Sequence, residues 1–204
     1  KGIKFRIYPN REQQNIINQT LGCCRLIYNK GLAMRNQAYQ NGNKIGYSQT
    51  SAMLTDLKKS DDFAFLKEVD SIALQQSLRD LDRGFVNFFQ KRASHPVFKS
   101  KHNRHQSYRT INQGDNIRIV GKYIKLPKLG LVRIRQSMGV GKINNVTIEH
   151  TPTNKYFAVL NVEFEPQPMS NKGGKIGIDV GIKEFYSDSN GNVVSNPKYL
   201  EKSM

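Results

Sequence analysis

Acidic residues are scarce in the middle of this sequence: between Gly84 and Ile148 the one acid is Asp115. The whole chain sets 16 Asp and Glu against 32 Lys and Arg, for a net charge of +16 and a pI near 9.9, which favours polyanionic partners. Tryptophan is absent, and the two cysteines, Cys23 and Cys24, are adjacent. An adjacent pair is too strained for an ordinary disulfide, and no second pair completes a zinc ribbon. Reduced, helix-packing thiols are therefore expected, and no zinc. No apolar run approaches the length that spans a bilayer, and the N-terminus alternates basic with apolar residues where a signal peptide would be continuously apolar. No membrane span is expected in these residues, and the expected address is cytoplasmic. With 204 residues, 37% of them hydrophobic, the chain can bury the core of one or two small folding units.

What is present is a focused field of positive charge. Opposite Asp115 stand Lys91, Arg92, Lys99, Lys101, Arg104, Arg109, Arg118, Lys122, Lys125, Lys128, Arg133, Arg135 and Lys142. Phe98, Tyr108 and Tyr123 are interspersed, so the stretch can grip phosphates while aromatics stack on bases. The plain alternative is a basic, merely soluble surface, but such surfaces mix their signs. Charge alone leaves RNA or DNA open. His95, His102 and His105 have no cysteine or carboxylate at ligand spacing and read as phosphate or base contacts rather than metal ligands.

Periodicity divides the chain into an α+β arrangement. Ile3, Phe5 and Ile7 alternate with Lys4, Arg6 and Tyr8 as a strand with one buried and one basic face. After Pro9, Asn10 caps a helix that carries Ile17, Leu21, Cys24, Tyr28 and Leu32 on one face toward the Asn41-Gly42 stop. Within it, Gly22 and Gly31 either weaken the helix or admit close packing. A shorter helix follows Ser48, then a hydrophobic connector at Phe63, Phe65 and Leu66. A third, amphipathic helix capped by Asp70 or Ser71 bears Leu74, Leu78, Leu81, Phe85 and Phe88. Its polar side offers Gln75, Gln76, Arg79 and Arg83, residue types that read base edges but also make ordinary wet helix faces.

Residues 91–106 are a basic loop interrupted by Pro96. Short strands follow at Ser107–Ile111, Asn116–Val120, Tyr123–Leu126, Leu131–Arg135, Val146–His150 and Tyr156–Phe164, for which a small β-barrel is the natural closed solution. The economical topology adds the first strand to that barrel and makes the helices an insertion. Residues 167–171 read as a linker, and strands at Lys175–Val180, Glu184–Asp188 and Val193–Ser195 come after it.

Lys175-Ile176-Gly177-Ile178-Asp179-Val180-Gly181 is the sharpest local motif: a buried strand delivers one carboxylate at its end, and a glycine turns the chain back. RNase H-like nucleases use this device to hold Mg²⁺, and actin-like phosphotransferases use it to wrap a phosphate. Ile182 and Lys183 supply no hydroxyl for a phosphate, which favours the nuclease, while a simple hairpin Asp stays open. A two-metal centre needs several carboxylates, and nothing else in the chain is well placed to supply them.

Read in order, several segments resemble the TnpB family of transposon-encoded RNA-guided DNA endonucleases, relatives of type V CRISPR effectors. They are Phe5-Arg6-Ile7-Tyr8-Pro9-Asn10 with Gln13 and Gln14, Tyr28-Asn29, Tyr47-Ser48-Gln49-Thr50-Ser51, and Ala73-Leu74-Gln75-Gln76-Ser77-Leu78. Pro96-Val97-Phe98-Lys99, Ser107-Tyr108-Arg109-Thr110, Lys125-Leu126-Pro127-Lys128-Leu129-Gly130, Gly177-Ile178-Asp179-Val180-Gly181 and Asn196-Pro197-Lys198 continue the likeness. It covers the family's N-terminal half.

The resemblance implies a wedge-type, OB-like β-barrel from residues 1–10 and 107–168, a helical recognition lobe with its basic loop over 11–106, and the first strands of an RNase H-like (RuvC) nuclease domain over 169–204. It implies a guide RNA and target DNA as partners, with Mg²⁺ in the complete nuclease domain and Asp179 as its first catalytic carboxylate and metal ligand. Tyr47, Ser51, Gln75, Gln76 and Thr110 match positions expected at the target-adjacent DNA motif. RNA and backbone contacts fall to Arg6, Arg79, Arg83, Lys91, Arg92, Lys99, Lys101, Arg104, Tyr108, Arg109, Lys122, Lys125, Lys128, Arg133 and Arg135. The family's remaining carboxylates and its zinc ribbon would lie past Met204, so this chain alone is expected to bind without cutting. A portion of a longer nuclease is one explanation; a naturally shortened, nuclease-dead RNA-guided repressor is the other.

Overall fold

The alternation of Lys4, Arg6 and Tyr8 with buried Phe5 and Ile7 makes β1 (Gly2–Tyr8) a strand with one wet and one dry face, and the main sheet is arranged around it. The computed structural model describes residues 1–135, 141–165, 175–199 and 201. Two compact units divide the chain, Lys1–Phe164 and Glu165–Met204.

Pro9 ends β1, and Asn10 opens α1 (Arg11–Gln40) with a reciprocal cap. Asn10 Oδ1 accepts from Gln13 N at 2.8 Å while Gln13 Oε1 accepts from Asn10 N at 3.0 Å. The amide nitrogen of Gln13 then donates to the carbonyls of Leu129 and Leu131, at 3.0 and 2.9 Å, so one residue starts the helix and ties it to the sheet. The helix stops where the sequence says, at Asn41 and Gly42, the latter with φ of 75°.

α2 (Tyr47–Leu57) begins just before the expected Ser48 cap, because Gln49 Oε1 reaches back to the Gly46 amide at 3.0 Å. A 3-10 turn (Asp61–Lys67) buries Leu66, and α3 (Ser71–Phe89) is capped by Asp70, whose Oδ1 accepts from Ile72 N at 2.9 Å. Gly31 is the point of close approach between α1 and α3: a Cβ there would lie 2.8 Å from Leu78 Cδ2 and 3.0 Å from Leu81 Cδ2. A Cβ on Gly22, by contrast, would meet nothing within 4 Å outside its own helix backbone.

The remaining strands of the first unit are β2 (Gln106–Ile111), β3 (Arg118–Val120), β4 (Tyr123–Leu126), β5 (Gly130–Ile134), β6 (Ile143–His150) and β7 (Tyr156–Val162). They form one antiparallel seven-stranded sheet in the order β2-β6-β7-β1-β5-β4-β3, so β1 sits between β7 and β5 with the helices inserted after it. Its inward residues, among them Ile7, Val132, Ile134, Val146, Ile148 and Leu160, share one core with Ile17, Leu21 and Leu74 of the helices. Cys23 and Cys24 are free and buried, and burial pushes both thiols up from their ordinary value.

The expected closed barrel is corrected by this strand order. The sheet is open, with β2 and β3 as unpaired edges among the described residues. β3 has three residues, too few for a closing ladder, and β2 packs against α1 and α3 in place of a further strand.

In the second unit, β8 (Ile178–Asp179), β9 (Glu184–Asp188) and β10 (Val193–Ser195) form an antiparallel sheet in the order β10-β9-β8. The Asp188 carboxylate ties its turn by accepting from Asn190 N, Asn192 N and Asn192 Nδ2, and these bonds hold the carboxyl below its ordinary value. Residues 167–171, read as a linker, lie outside the described residues.

Candidate nucleic-acid interface

Antiparallel pairing lines up the wet-face residues of the main sheet in rows. Tyr8 pairs with Arg133, and Arg133 with Tyr123; Arg6 pairs with Phe157, and Phe157 with Glu149. Lys125 stands between Arg118 and Leu131, and Lys4 pairs with Val159. Residues paired directly across antiparallel strands project from the same face. The result is a surface in which Lys, Arg and aromatic side chains alternate.

Contacts within the face hold it in shape. The Arg6 guanidinium lies 5.5 Å from the Tyr8 ring and 5.4 Å from the Phe157 ring, and Lys4 Nζ lies 4.7 Å from Phe157. Glu149, the carboxylate in these rows, is engaged by Lys4. Tyr8 and Tyr123 keep 46% and 45% of their surface exposed, enough to offer ring faces to a base.

A second cluster lies on the helices. The Arg79 guanidinium covers the Tyr47 ring at 4.6 Å, Gln75 is exposed one turn earlier on α3, and Ser51 is half-buried one turn beyond Tyr47 on α2. Gln76 and Thr110 are set apart from these. Gln76 is 5% exposed and accepts from Arg109 Nη2 at 3.5 Å, and Thr110 is 1% exposed on β2. Tyr108 is also in the core, so it offers no stacking surface, and burial pushes its phenol up. Arg109 is engaged by Asp80 of α3.

Between α3 and β2 runs the basic loop. Lys91, Arg92, Lys99, Lys101 and Arg104 are all exposed, as are Arg83 on α3 and Lys122, Lys128, Arg133 and Arg135 farther along. Lys91 and Lys128 hold φ of 58° and 62°, a left-handed conformation that ordinarily falls to glycine. No helix is long and apolar enough to cross a membrane among the described residues.

Asp179 closes β8 and pairs in register with Ser187. The sequence reading placed it on a buried strand, whereas Ile176, Ile178, Asp179 and Val180 are exposed. Among the described residues no three His, Cys, Asp or Glu side chains cluster as a metal site. Asp179 is a suitable hard oxygen ligand for Mg²⁺, but alone it does not make a two-metal centre.

Known proteins share this sequence along its length. A candidate RNA-guided DNA endonuclease of Streptomyces pristinaespiralis is 34% identical over 203 residues, covering 98% of this chain and 50% of that protein. InsQ of Escherichia coli K12, also named a candidate RNA-guided DNA endonuclease, is 32% identical over 205 residues, covering 100% of this chain and 50% of that protein. The chain belongs to the TnpB family. It spans about half the length of these two relatives. The virulence protein VsdF of Salmonella dublin is 37% identical over 117 residues, 51% of this chain and 96% of that protein.

Residues 1–44 of this TnpB-family chain match a family model described as a helix-turn-helix domain. Within those residues the structure has β1 and a single unbroken helix of 30 residues, so the first turn between helices comes only after Gln40. The resemblance implies Arg6, Arg133, Lys125 and the loop cations, and the sheet pairing adds Lys4, Tyr8 and Phe157 to the same surface. The basic alternation in β1 was the available signal for Lys4 and Tyr8; Phe157 joins them only through the β1–β7 pairing.

Proposed function

We propose that this chain is the nucleic-acid-gripping half of an RNA-guided DNA endonuclease. The outward sheet face and the basic loop bind the guide RNA, and the Tyr47, Ser51, Gln75 and Arg79 cluster meets the duplex beside the target. The observation that carries this reading is the set of rows in which Arg6, Tyr8, Phe157, Arg133 and Tyr123 lie side by side on the wet face. The names and coverage of the two long relatives support it. In such a system base pairing reads the sequence and the protein reads backbone shape and a short adjacent motif.

Asp179 contributes one carboxylate in this reading. The remaining ligands of a Mg²⁺ centre come from residues other than those described, and cleavage is a property of the complete polypeptide. A second reading, a guided binder without nuclease activity that acts as a transcriptional repressor, shares the same nucleic-acid grip.

Binding of structured RNA to this chain, followed by fluorescence anisotropy across a salt series, tests the shared part. Affinity falls roughly a thousandfold or more from 50 to 200 mM salt if six or more phosphates are contacted. Arg6→Ala and Tyr123→Ala each weaken it. A flat salt response sinks the proposal. Guided, Mg²⁺-dependent cutting by the polypeptide in which this chain naturally occurs supports the first reading and eliminates the second.

A further inference from the structure

At the far end of the helices from the sheet, α1 and α3 leave a cavity of about 510 Å³. Gln13, tied to the sheet, and Tyr39, at the cavity, are separated by roughly 40 Å of helix at 1.5 Å per residue. This place is therefore separate from the outward face of the sheet. Its volume falls within the range of roughly 300–1,000 Å³ common to ligand pockets.

The cavity is built around rings. Phe85 and Phe89 stack with centroids 6.2 Å apart, and Phe88 lies 5.3 Å from Phe89. His95 meets Phe85 and Phe88 edge-on at 5.2 and 5.1 Å, so the loop after α3 forms one wall. Gly84 makes that wall possible, since even a Cβ there would lie 3.3 Å from Pro96 Cγ. Two aromatic side chains remain open at the mouth: Phe89 is 69% exposed and Tyr39 is 73% exposed.

Charge decides what such a cavity would accept. Among the described residues no carboxylate lines it, and the nearby Asp82 is bound to Arg35 Nη1 at 2.8 Å. The Arg35 guanidinium in turn covers the Phe85 ring at 4.0 Å. Lys44 is part of the lining, and Lys91 and Arg92 follow Phe89 along the chain after Gln90. Asn36 and Asn43 add side-chain amides able to pair with a base edge. An apolar peptide would use the rings but would leave the cations without a partner. A nucleotide uses both, through its base and its phosphate.

We propose that this cavity is a binding site for one unpaired nucleotide of the bound RNA. Its base stacks on Phe89 and Tyr39, and its phosphate faces Lys44 and Lys91. The assignment rests on the RNA-binding reading above. RNA is the source because single-stranded segments and loops present free bases, whereas duplex DNA keeps its bases stacked.

The absence of tryptophan gives a direct test, since Phe89→Trp introduces a single indole reporter into the full chain. The probes are a 12-nucleotide single-stranded RNA, the DNA strand of the same sequence, and a DNA duplex. Single-stranded RNA quenches the new fluorescence over the same concentrations at which anisotropy reports binding, and the duplex leaves it unchanged. Phe89→Ala and Tyr39→Ala each weaken single-stranded RNA binding by about 5- to 100-fold, the range expected for losing one base stack. Both side chains are mostly exposed, so unchanged thermal melting identifies the loss as one of contact.

If RNA binds with the steep salt response but the indole is not quenched and neither alanine variant is weakened, the site is refuted while the RNA-binding reading stands. If the unaltered chain binds no RNA, both fall. Tighter binding and stronger quenching by the DNA strand refute the assignment to RNA. Quenching by an apolar peptide but not by RNA refutes the nucleotide.

Discussion

The Asn29 side chain holds the backbone of Lys99 from both sides, accepting from its N–H at 2.8 Å and donating to its carbonyl at 3.0 Å. This makes the basic loop part of the fold. Lys99 Nζ is drawn over the Tyr28 ring at 4.3 Å, and farther along Gln106 Nε2 donates to the Lys101 carbonyl at 2.7 Å. Cations on an anchored loop reach a phosphate backbone without first losing loop entropy, which strengthens binding without new contacts. Asn29→Ala removes both bonds. It is expected to lower stability by about 1–2 kcal/mol. Hydrogen exchange at Lys99 rises and RNA binding weakens several-fold; urea melts and anisotropy measure the two effects. Unchanged exchange at Lys99 would show that the loop is held elsewhere.

Lys91 closes α3 in the left-handed conformation, with Arg92 N donating to the Asn87 carbonyl at 2.8 Å. A side chain there costs roughly 1 kcal/mol that glycine avoids, though glycine gives part of that gain back because its unfolded chain has more conformational entropy to lose. Lys91→Gly therefore leaves thermal stability equal or higher by up to about 1 kcal/mol. In the same variant the slope of log affinity against log salt becomes shallower by about one, as a phosphate contact is lost. A lower melting temperature would contradict the strain argument, and an unchanged slope would remove Lys91 from the interface.

Local chemistry made much of this fold legible in the sequence. The Asn10 cap, the Asn41-Gly42 stop and the cap at Asp70 or Ser71 depend on neighbours within a turn, and the structure has Asn10, Asn41-Gly42 and Asp70 in those places. Long-range pairing is where reading failed. Period two in Ser107–Ile111 puts Tyr108 and Thr110 on one face and Ser107, Arg109 and Ile111 on the other. It cannot say which face is dry, and a polar threonine disguised the buried one. Closure of a barrel likewise depends on whether edges meet, a property no single strand carries. Phe157 lies in an apolar run, and only its pairing with Arg6 places it on the wet face.

Two glycines of α1 separate packing from propensity. Gly31→Ala drives a methyl against buried Leu78 and Leu81, and is expected to cost about 1–3 kcal/mol of stability. Gly22→Ala meets nothing within 4 Å and is expected to stabilise the helix by about 0.5–1 kcal/mol. Denaturant melts of the two variants should move in opposite directions. Stabilisation by both would mean that α1 and α3 do not approach as closely as the structure has them.

Adjacent glutamines of α3 carry the last contrast. The resemblance gave Gln75 and Gln76 the same role, but a helix turns by 100° per residue, so neighbours face different surroundings. Gln75 is exposed on the side of Arg79, while Gln76 is buried with its amide oxygen toward Arg109. Gln75→Ala should leave melting unchanged and weaken or relax recognition of the DNA beside the target, at about 1–3 kcal/mol for a lost base-edge pair. Gln76→Ala should cost about 1–2 kcal/mol of stability, because a half-buried guanidinium loses one acceptor. The two assays together decide the matter. If Gln76→Ala leaves melting untouched while abolishing motif preference, then Gln76 turns outward when DNA binds, and the interface between α3 and β2 opens on recognition.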